Sequence, residues 1–374
     1  MNAELNRSKW ENQREMYTTD FEMTELDATK TMTWSWHPMQ WSWYVICELV
    51  TSVLGIMGNL LVIVVIFCRR SKSRSTDILV GHLACADLLT SLFLVPYPDI
   101  KTIPYTWSGA IFCKVIKGNY LMWTSVTASI YILSAISIDR YFAVVYPLHF
   151  KRFISRRLVI AVVALIWIGV CVLTFPILLV NSADVIPGKC IFHLPFPKLQ
   201  VVVGLFTFII RLAIPTIIML FTQVTIARVL RREAARFKSQ KTAQSLPSSF
   251  HDVARARVLK LLLLVVVVYI VCWAPDQLAF LSFNLGLVPD SHFASPLYRI
   301  LIVLAFCNSC ANPIIYTFRH KKFRRAAKDL FKGVTASRSP IFEEFVSENT
   351  PSSAHHQVSN NTKTNEVILK IKSF

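Results

Sequence analysis

The chain has 374 residues, of which 54% are hydrophobic and 17% charged, and a formal net charge of +18. So apolar a composition excludes an ordinary soluble domain and puts the chain in the membrane class. The positive charge sits in blocks between apolar runs, which argues against nucleic acid as a partner.

Residues 1–43 form a polar, mildly acidic, tryptophan-bearing tail with no cleavable signal sequence, so the first apolar run is expected to act as the insertion signal. Asn6-Arg7-Ser8 within it is a glycosylation triplet. Residues 44–319 hold seven apolar runs, at about Val45 to Cys68, Ile78 to Tyr97, Ile111 to Val145, Leu158 to Val180, Leu199 to Ala227, Leu259 to Leu287 and Pro296 to Phe318. Each can cross a hydrocarbon core about 30 Å thick as a helix. Lipid offers backbone groups no partners, so an all-α membrane protein, a seven-helix bundle, is the predicted fold. Residues 320–332, with Phe323 amid lysines and arginines, read as a short amphipathic eighth helix on the membrane surface. Residues 333–374 are polar, rich in Ser and Thr, and read as a disordered tail.

Arg69, Arg70, Lys72 and Arg74 follow the first run, and Lys151, Arg152, Arg156 and Arg157 follow the third. Arg228, Arg231 and Arg232 open a basic stretch between the fifth and sixth, and Lys321, Lys322, Arg324, Arg325 and Lys328 follow the seventh. The positive-inside rule then puts the N-terminus outside and the C-terminus in the cytoplasm. This basic face is expected to meet anionic inner-leaflet lipid and a cytosolic partner. Most of the nine cysteines lie inside apolar runs as small apolar residues. Cys113 and Cys190 fall outside on this topology, where thiols pair, so a bridge is expected.

Two runs carry polar residues at mid-depth early in the chain, Gly58-Asn59 in the first and Asp87 in the second. An acid there is expensive and points to function. Ser129, Asn308, Ser309 and Asn312 lie at comparable depth in the third and seventh runs. They suit either a hydrated cavity holding a small cation through hard oxygens or plain interhelical hydrogen bonding. The third run closes on Asp139-Arg140-Tyr141, with Pro147-Leu148 beyond it. Pro215 in the fifth run and Pro275 in the CWAP of the sixth permit kinks. The seventh ends in Asn312-Pro313-Ile314-Ile315-Tyr316.

In order along the chain, Asn59, Asp87, Cys113, Asp139-Arg140-Tyr141, Trp167, Pro215, CWAP and NPIIY make residues 44–331 resemble a rhodopsin-like (class A) G-protein-coupled receptor. The wording of SVTASIYILSAISIDRYFAVVYPL resembles the neuropeptide-receptor branch. The resemblance implies a plasma-membrane receptor that activates a heterotrimeric G protein by outward movement of the sixth helix. Its contact and switch residues would be Asp139, Arg140, Tyr141, Leu148, Trp273, Pro275, Asn312, Pro313 and Tyr316. It also implies the Cys113–Cys190 bridge and an allosteric sodium ion at Asp87, Ser129, Asn308, Ser309 and Asn312, with no other cofactor. Arrestin and receptor kinases would act on the Ser/Thr-rich tail. Four departures stand out. Cys113 lies two residues further from Arg140 than in the family, so a bulge or a higher start is expected in the third helix. Gln223 replaces a usual Tyr, Tyr269 a usual Phe, and Arg255 an acid found in opsins and amine receptors.

Amine receptors use an Asp where this chain has Met122, and opsins a Lys where it has Phe306, so neither an amine nor retinal fits. The residues expected to meet ligand are Asp99, Lys117, Met122, Trp123, Arg211, Asp276, Gln277 and Arg299. Charges of both signs among aromatics suit a peptide; a lipid or other small non-amine ligand is the alternative. Arg211 and Asp276 are expected either to pair or to face cavity water separately. A transporter would show internal repeats and broken helices in both halves, which are not found. An intramembrane enzyme would need a constellation that Asp87 alone does not supply, so no catalytic residue is assigned.

Overall fold

The computed structural model describes residues 33–67, 75–104, 106–180, 190, 197–240, 249–289, 291 and 295–332. Asn6, the basic cluster at 69–74, the side chain of Arg255 and the tail beyond 332 lie outside the described residues.

Seven helices are long and apolar enough to cross a membrane, so the all-α bundle expected from the sequence is found. They are α1 (Trp43–Phe67), α2 (Ser75–Phe93), α3 (Tyr120–Val145), α4 (Arg156–Thr174), α5 (Pro197–Phe208, Ile209–Ala213 and Ile214–Gln240), α6 (Ser249–Asn284) and α7 (Pro296–Arg319). Where the ends differ from the apolar runs, local chemistry sets them. The second run was expected to reach Tyr97, but α2 stops at Phe93, ahead of Pro96 and Pro98. The sixth was expected to reach Leu287, but α6 stops at Asn284, and Gly286 takes a left-handed φ of 72°.

α3 is the axle. It buries 16 residues, whereas α4 buries only Val159, Val163, Val170 and Thr174, a single stripe that leaves its other faces to lipid. α1 approaches α7 closely at Gly58, where a Cβ would come within 2.8 Å of Pro313. Only glycine admits that contact.

The two surplus residues ahead of α3 produce a bulge. Trp107–Ile111 is α-helical, Phe112–Lys117 forms a π turn, and Asn119 sits at φ 54° before Tyr120 restarts the helix. A π turn takes up extra residues without breaking the helix, and asparagine tolerates the left-handed conformation better than most. Cys113 on this turn bonds to Cys190. Beside it, Ser35–Trp36 of the N-terminal segment pairs antiparallel with Ile100–Thr102. The edges of Trp34 and Trp36 meet Phe112, with ring centroids 5.3 and 6.2 Å away. At the other end, α8 (Lys321–Phe331) buries Phe323 and Ala326 and leaves its charges outward. His320 caps it, its Nδ1 accepting from the Phe323 N–H at 3.2 Å. Burial and then the nearby Lys322 push this imidazole down to about 4, which keeps the accepting nitrogen free of a proton.

α5 contains a second π turn, Ile209–Ala213, just before Pro215. In a regular helix the Arg211 carbonyl would accept from residue 215, and in a π turn the Ile210 carbonyl would. Proline has no N–H to give either. Two tyrosines supply what is missing. Tyr269 of α6 donates its hydroxyl to the Arg211 carbonyl at 2.5 Å, and Tyr131 of α3 donates to the Ile210 carbonyl at 3.3 Å. The Tyr269 departure from the family's Phe thus has a structural purpose: it joins α6 to the proline break of α5.

Two measurements check this architecture. Cys113→Ala and Cys190→Ala should lower surface expression equally, with the double substitution no worse; additive losses would mean that the thiols act apart. Tyr269→Phe should leave a buried carbonyl without its donor, costing about 1–3 kcal/mol and lowering the melting temperature of the purified protein. Tyr131→Phe, which removes the longer bond, should lower it less; unchanged melting in both would reject the clamp.

Candidate functional site

Three polar centres lie along the bundle axis. At the end opposite the disulfide, the Arg140 guanidinium bonds to Asp139 Oδ2 through Nη2 at 2.6 Å and Nε at 3.1 Å. Thr76 of α2 donates to the same carboxylate oxygen at 3.0 Å and accepts from Arg140 Nη2. The arginine is only 2% exposed, and its Nη1 has no hydrogen-bond partner. It is therefore held on α2 and α3, desolvated and incompletely paired. Thr76 was not singled out from sequence, because a threonine at a helix start there looks like any cap. Tyr141 packs on Phe221 of α5, with ring centroids 6.1 Å apart. Leu148, on the short helix Pro147–Phe153, is 81% exposed, an apolar knob beside a charged face. Gln223, on α5, is buried, and neither amide atom has a hydrogen-bond partner among the described residues.

At mid-depth Asp87 is wholly buried. Ser129 donates to its Oδ1 at 2.6 Å and Asn312 to its Oδ2 at 2.9 Å, joining α2, α3 and α7. Asn59 brings in α1 by donating to the carbonyls of Ser309 and Gly55, each at 2.9 Å. The Ser309 hydroxyl also faces the carboxylate. Asn308 is buried one residue earlier and donates to none of this set among the described residues. No cation pairs with Asp87 among the described residues either; Lys117–Asp99 and Arg140–Asp139 pair elsewhere. The carboxylate thus has hard oxygens about it and no compensating charge. Below it, Pro313 meets Gly58, and the Tyr316 ring lies 6.4 Å from Phe323 of α8.

Toward the disulfide end, Trp123 of α3, Trp273 of α6 and Phe306 of α7 form a triangle of rings with centroids 6.3–6.5 Å apart. Trp273 is fully buried, and its indole N–H has no acceptor. Two residues on, Pro275 sits inside α6. This triangle floors a cavity of about 680 Å³ whose walls include Asp99, Lys117, Met122, Trp123, Asp276 and Arg299. Six of the eight residues expected to meet ligand therefore line one space. Gln277 and Arg211 do not line it. Glu48, whose charge was expected in this outer cavity, lines it too, as do His37, Tyr44 and Tyr298; His37 was missed because the N-terminal segment was read as a tail. Lys117 bonds Asp99 at 2.8 Å, which holds that carboxyl below the usual carboxylate range. Arg299 lies 4.7 Å over the Tyr44 ring.

Arg211 and Asp276 do not form the pair that was one of the two expectations. No nitrogen of Arg211 comes within 4.0 Å of an Asp276 oxygen. Two groups of α3 hold the guanidinium instead: the Trp123 ring, 4.4 Å from its central carbon, and the Thr127 hydroxyl, which accepts from Nε at 3.2 Å. Asp276 instead accepts from its neighbour Gln277 at 3.0 Å and lines the main cavity.

The model of the rhodopsin family of seven-transmembrane receptors matches residues 58–316. Galanin receptor 2a of Danio rerio is 29% identical over 299 residues, covering 77% of this chain and 78% of that receptor. The allatostatin-A receptor of Bombyx mori is 26% identical over 286 residues, covering 74% of this chain and 75% of that receptor. Galanin receptor type 2 of Homo sapiens is 26% identical over 302 residues, covering 80% and 75% respectively. With a seven-helix bundle, a buried Asp-Arg pair, a mid-membrane acid and a family match over most of its length, the chain belongs to the rhodopsin family of seven-transmembrane receptors.

Proposed function

We propose that this receptor binds an extracellular peptide in the 680 Å³ cavity and passes the signal to a heterotrimeric G protein. The observation that carries the reading is the cavity's lining: Glu48, Asp99 and Asp276 face Lys117 and Arg299 among aromatic rings. A peptide offers termini, amides and side chains of both signs, and such a lining can engage them together. The galanin and allatostatin-A receptors among its relatives support the same ligand class.

In this mechanism ligand contact on Asp276, Trp123 and Trp273 bears on α6 beside Pro275. Trp273 packs on rings of α3 and α7 yet leaves its N–H unpaired among the described residues, so a displacement there costs no hydrogen bond. The cytoplasmic half of α6, on the N-terminal side of Pro275, swings outward and takes the Tyr269 hydroxyl off the Arg211 carbonyl. Arg140, with one terminal nitrogen already unpaired, then exchanges Asp139 for a group of the G protein. Leu148 is the exposed apolar contact for that partner. The basic segments between helices face the cytoplasm and the N-terminus lies outside, in the plasma membrane, as the positive-inside rule requires. Arrestin and receptor kinases would act at the tail beyond residue 332. In the resting state Asp87, Ser129, Asn308, Ser309 and Asn312 would hold a sodium ion. Its charge would complement a buried carboxylate that has no cation beside it among the described residues.

The test is a cell line expressing the chain, challenged with galanin-type and allatostatin-A-type peptides, a wider peptide panel and a panel of small lipids, with G-protein activation read directly. A saturable response to a peptide is expected, and Asp276→Asn should weaken its potency about tenfold or more at equal surface expression. A response confined to the lipid panel would overturn the peptide assignment.

A further inference from the structure

We propose that a second cavity, between α3, α4 and α5, binds a single-chain amphiphile carrying a carboxylate head. The cavity is about 160 Å³ and lies apart from the main one; Arg211 lines it and Asp276 does not. Its walls are mostly apolar, from Leu173, Pro176, Ile177, Val203, Phe206 and Ile210. No acidic side chain lines it.

Its polar groups narrow the ligand. Thr174 is already engaged, donating to the Val170 carbonyl at 2.8 Å and bonded to Thr124 at 2.9 Å. Thr127 donates to the Trp123 carbonyl at 2.7 Å and accepts from Arg211 Nε. Thr207 adds a hydroxyl to the lining, and the charged group with unused hydrogen-bonding capacity is Arg211, which is 9% exposed and whose terminal nitrogens have no acceptor among the described residues. Asp276 acts on this cation only through space, with no nitrogen–oxygen contact within 4.0 Å. A cation at this depth without a bonded counter-ion is costly, and an anion that reaches both terminal nitrogens complements it. A carboxylate matches the guanidinium fork in shape as well as charge. The rest of the ligand must be apolar to match the walls. The space equals the liquid volume of about five water molecules, so it holds the head and a few carbons. Pro176 and Phe206 on its rim are exposed on the lipid-facing side, where a longer chain continues.

The site also touches the receptor's working parts. The Arg211 guanidinium lies over Trp123, whose ring belongs to the floor of the main cavity. Drawing Arg211 onto an anion would loosen that contact, and the second site would then bias the first. Binding itself does not depend on the peptide assignment.

The test uses the full chain in nanodiscs of phosphatidylcholine with tritiated decanoate as the probe, and decanol and decylamine as competitors. Saturable binding of one decanoate per receptor is expected, with decanol and decylamine at least about tenfold weaker because they lack the anion. Arg211→Gln should weaken decanoate by a similar factor. Thr207→Trp, which fills the cavity from the α5 wall and keeps the cation, should abolish binding and serves if the arginine variant fails to fold. Binding that never saturates, equal competition by decanol, or unchanged affinity in the variant or variants that fold would overturn the proposal. Displacement of decanoate by phosphatidylglycerol added to the bilayer would overturn the single-chain assignment in favour of a bilayer lipid.

Discussion

A carboxylate buried at the middle of a membrane bundle is the constraint on which the rest depends. Asp87 is wholly buried with no cation paired to it among the described residues, so neighbouring helices must present donors to it. Ser129 and Asn312 do so, and Asn59 reaches the same turn of α7 through the Ser309 carbonyl. That requirement fixes the rotation of α2, α3 and α7 about their own axes, because a helix turned by one residue would remove its donor. Gly58 against Pro313 then lets α1 close on α7. One half of the bundle is thus held by polar bonds that are worth more for specificity than for net stability.

The other half is held differently. α5 and α6 meet through a proline break whose free carbonyls are taken by Tyr131 and Tyr269, and through the rings of Trp123, Trp273 and Phe306. Few bonds cross there, and each tyrosine bond can be released without leaving a buried charge behind. The proposed outward movement of α6 would use this asymmetry, since it keeps the other half rigid. The main cavity opens above the ring triangle, so a ligand bound there, as proposed, would act where the bundle is most easily rearranged.

Much of this was legible in the sequence. The seven runs, the Cys113–Cys190 bridge and the company of Asp87 follow from hydropathy, topology and the depth of polar residues, which one-dimensional patterns record well. The bulge before α3 was legible as a surplus of residues, though its form, a π turn closed by a left-handed Asn119, was not. What stayed hidden depends on side-chain direction across helices. Arg211 and Asp276 sit on neighbouring helices, yet the π turn of α5 delivers the guanidinium to Trp123 and Thr127. Thr76 at Arg140 and the strand Ser35–Trp36 beside the cavity mouth likewise rest on contacts between segments remote in sequence. Tyr269 was legible as a departure from Phe, but its role rests on the α5 carbonyl it serves.

The central claim is that the uncompensated charge of Asp87 makes the resting receptor a sodium-binding protein. It is tested most directly without any agonist, by melting the purified receptor in sodium chloride and in N-methyl-D-glucamine chloride at equal ionic strength. A ligand that binds only the folded state stabilises it by about 1.4 kcal/mol at ten times its dissociation constant. The account predicts a higher melting temperature in sodium for the wild type and no difference for Asp87→Asn. Equal melting of the wild type in both salts, at sodium concentrations up to several hundred millimolar, would contradict it.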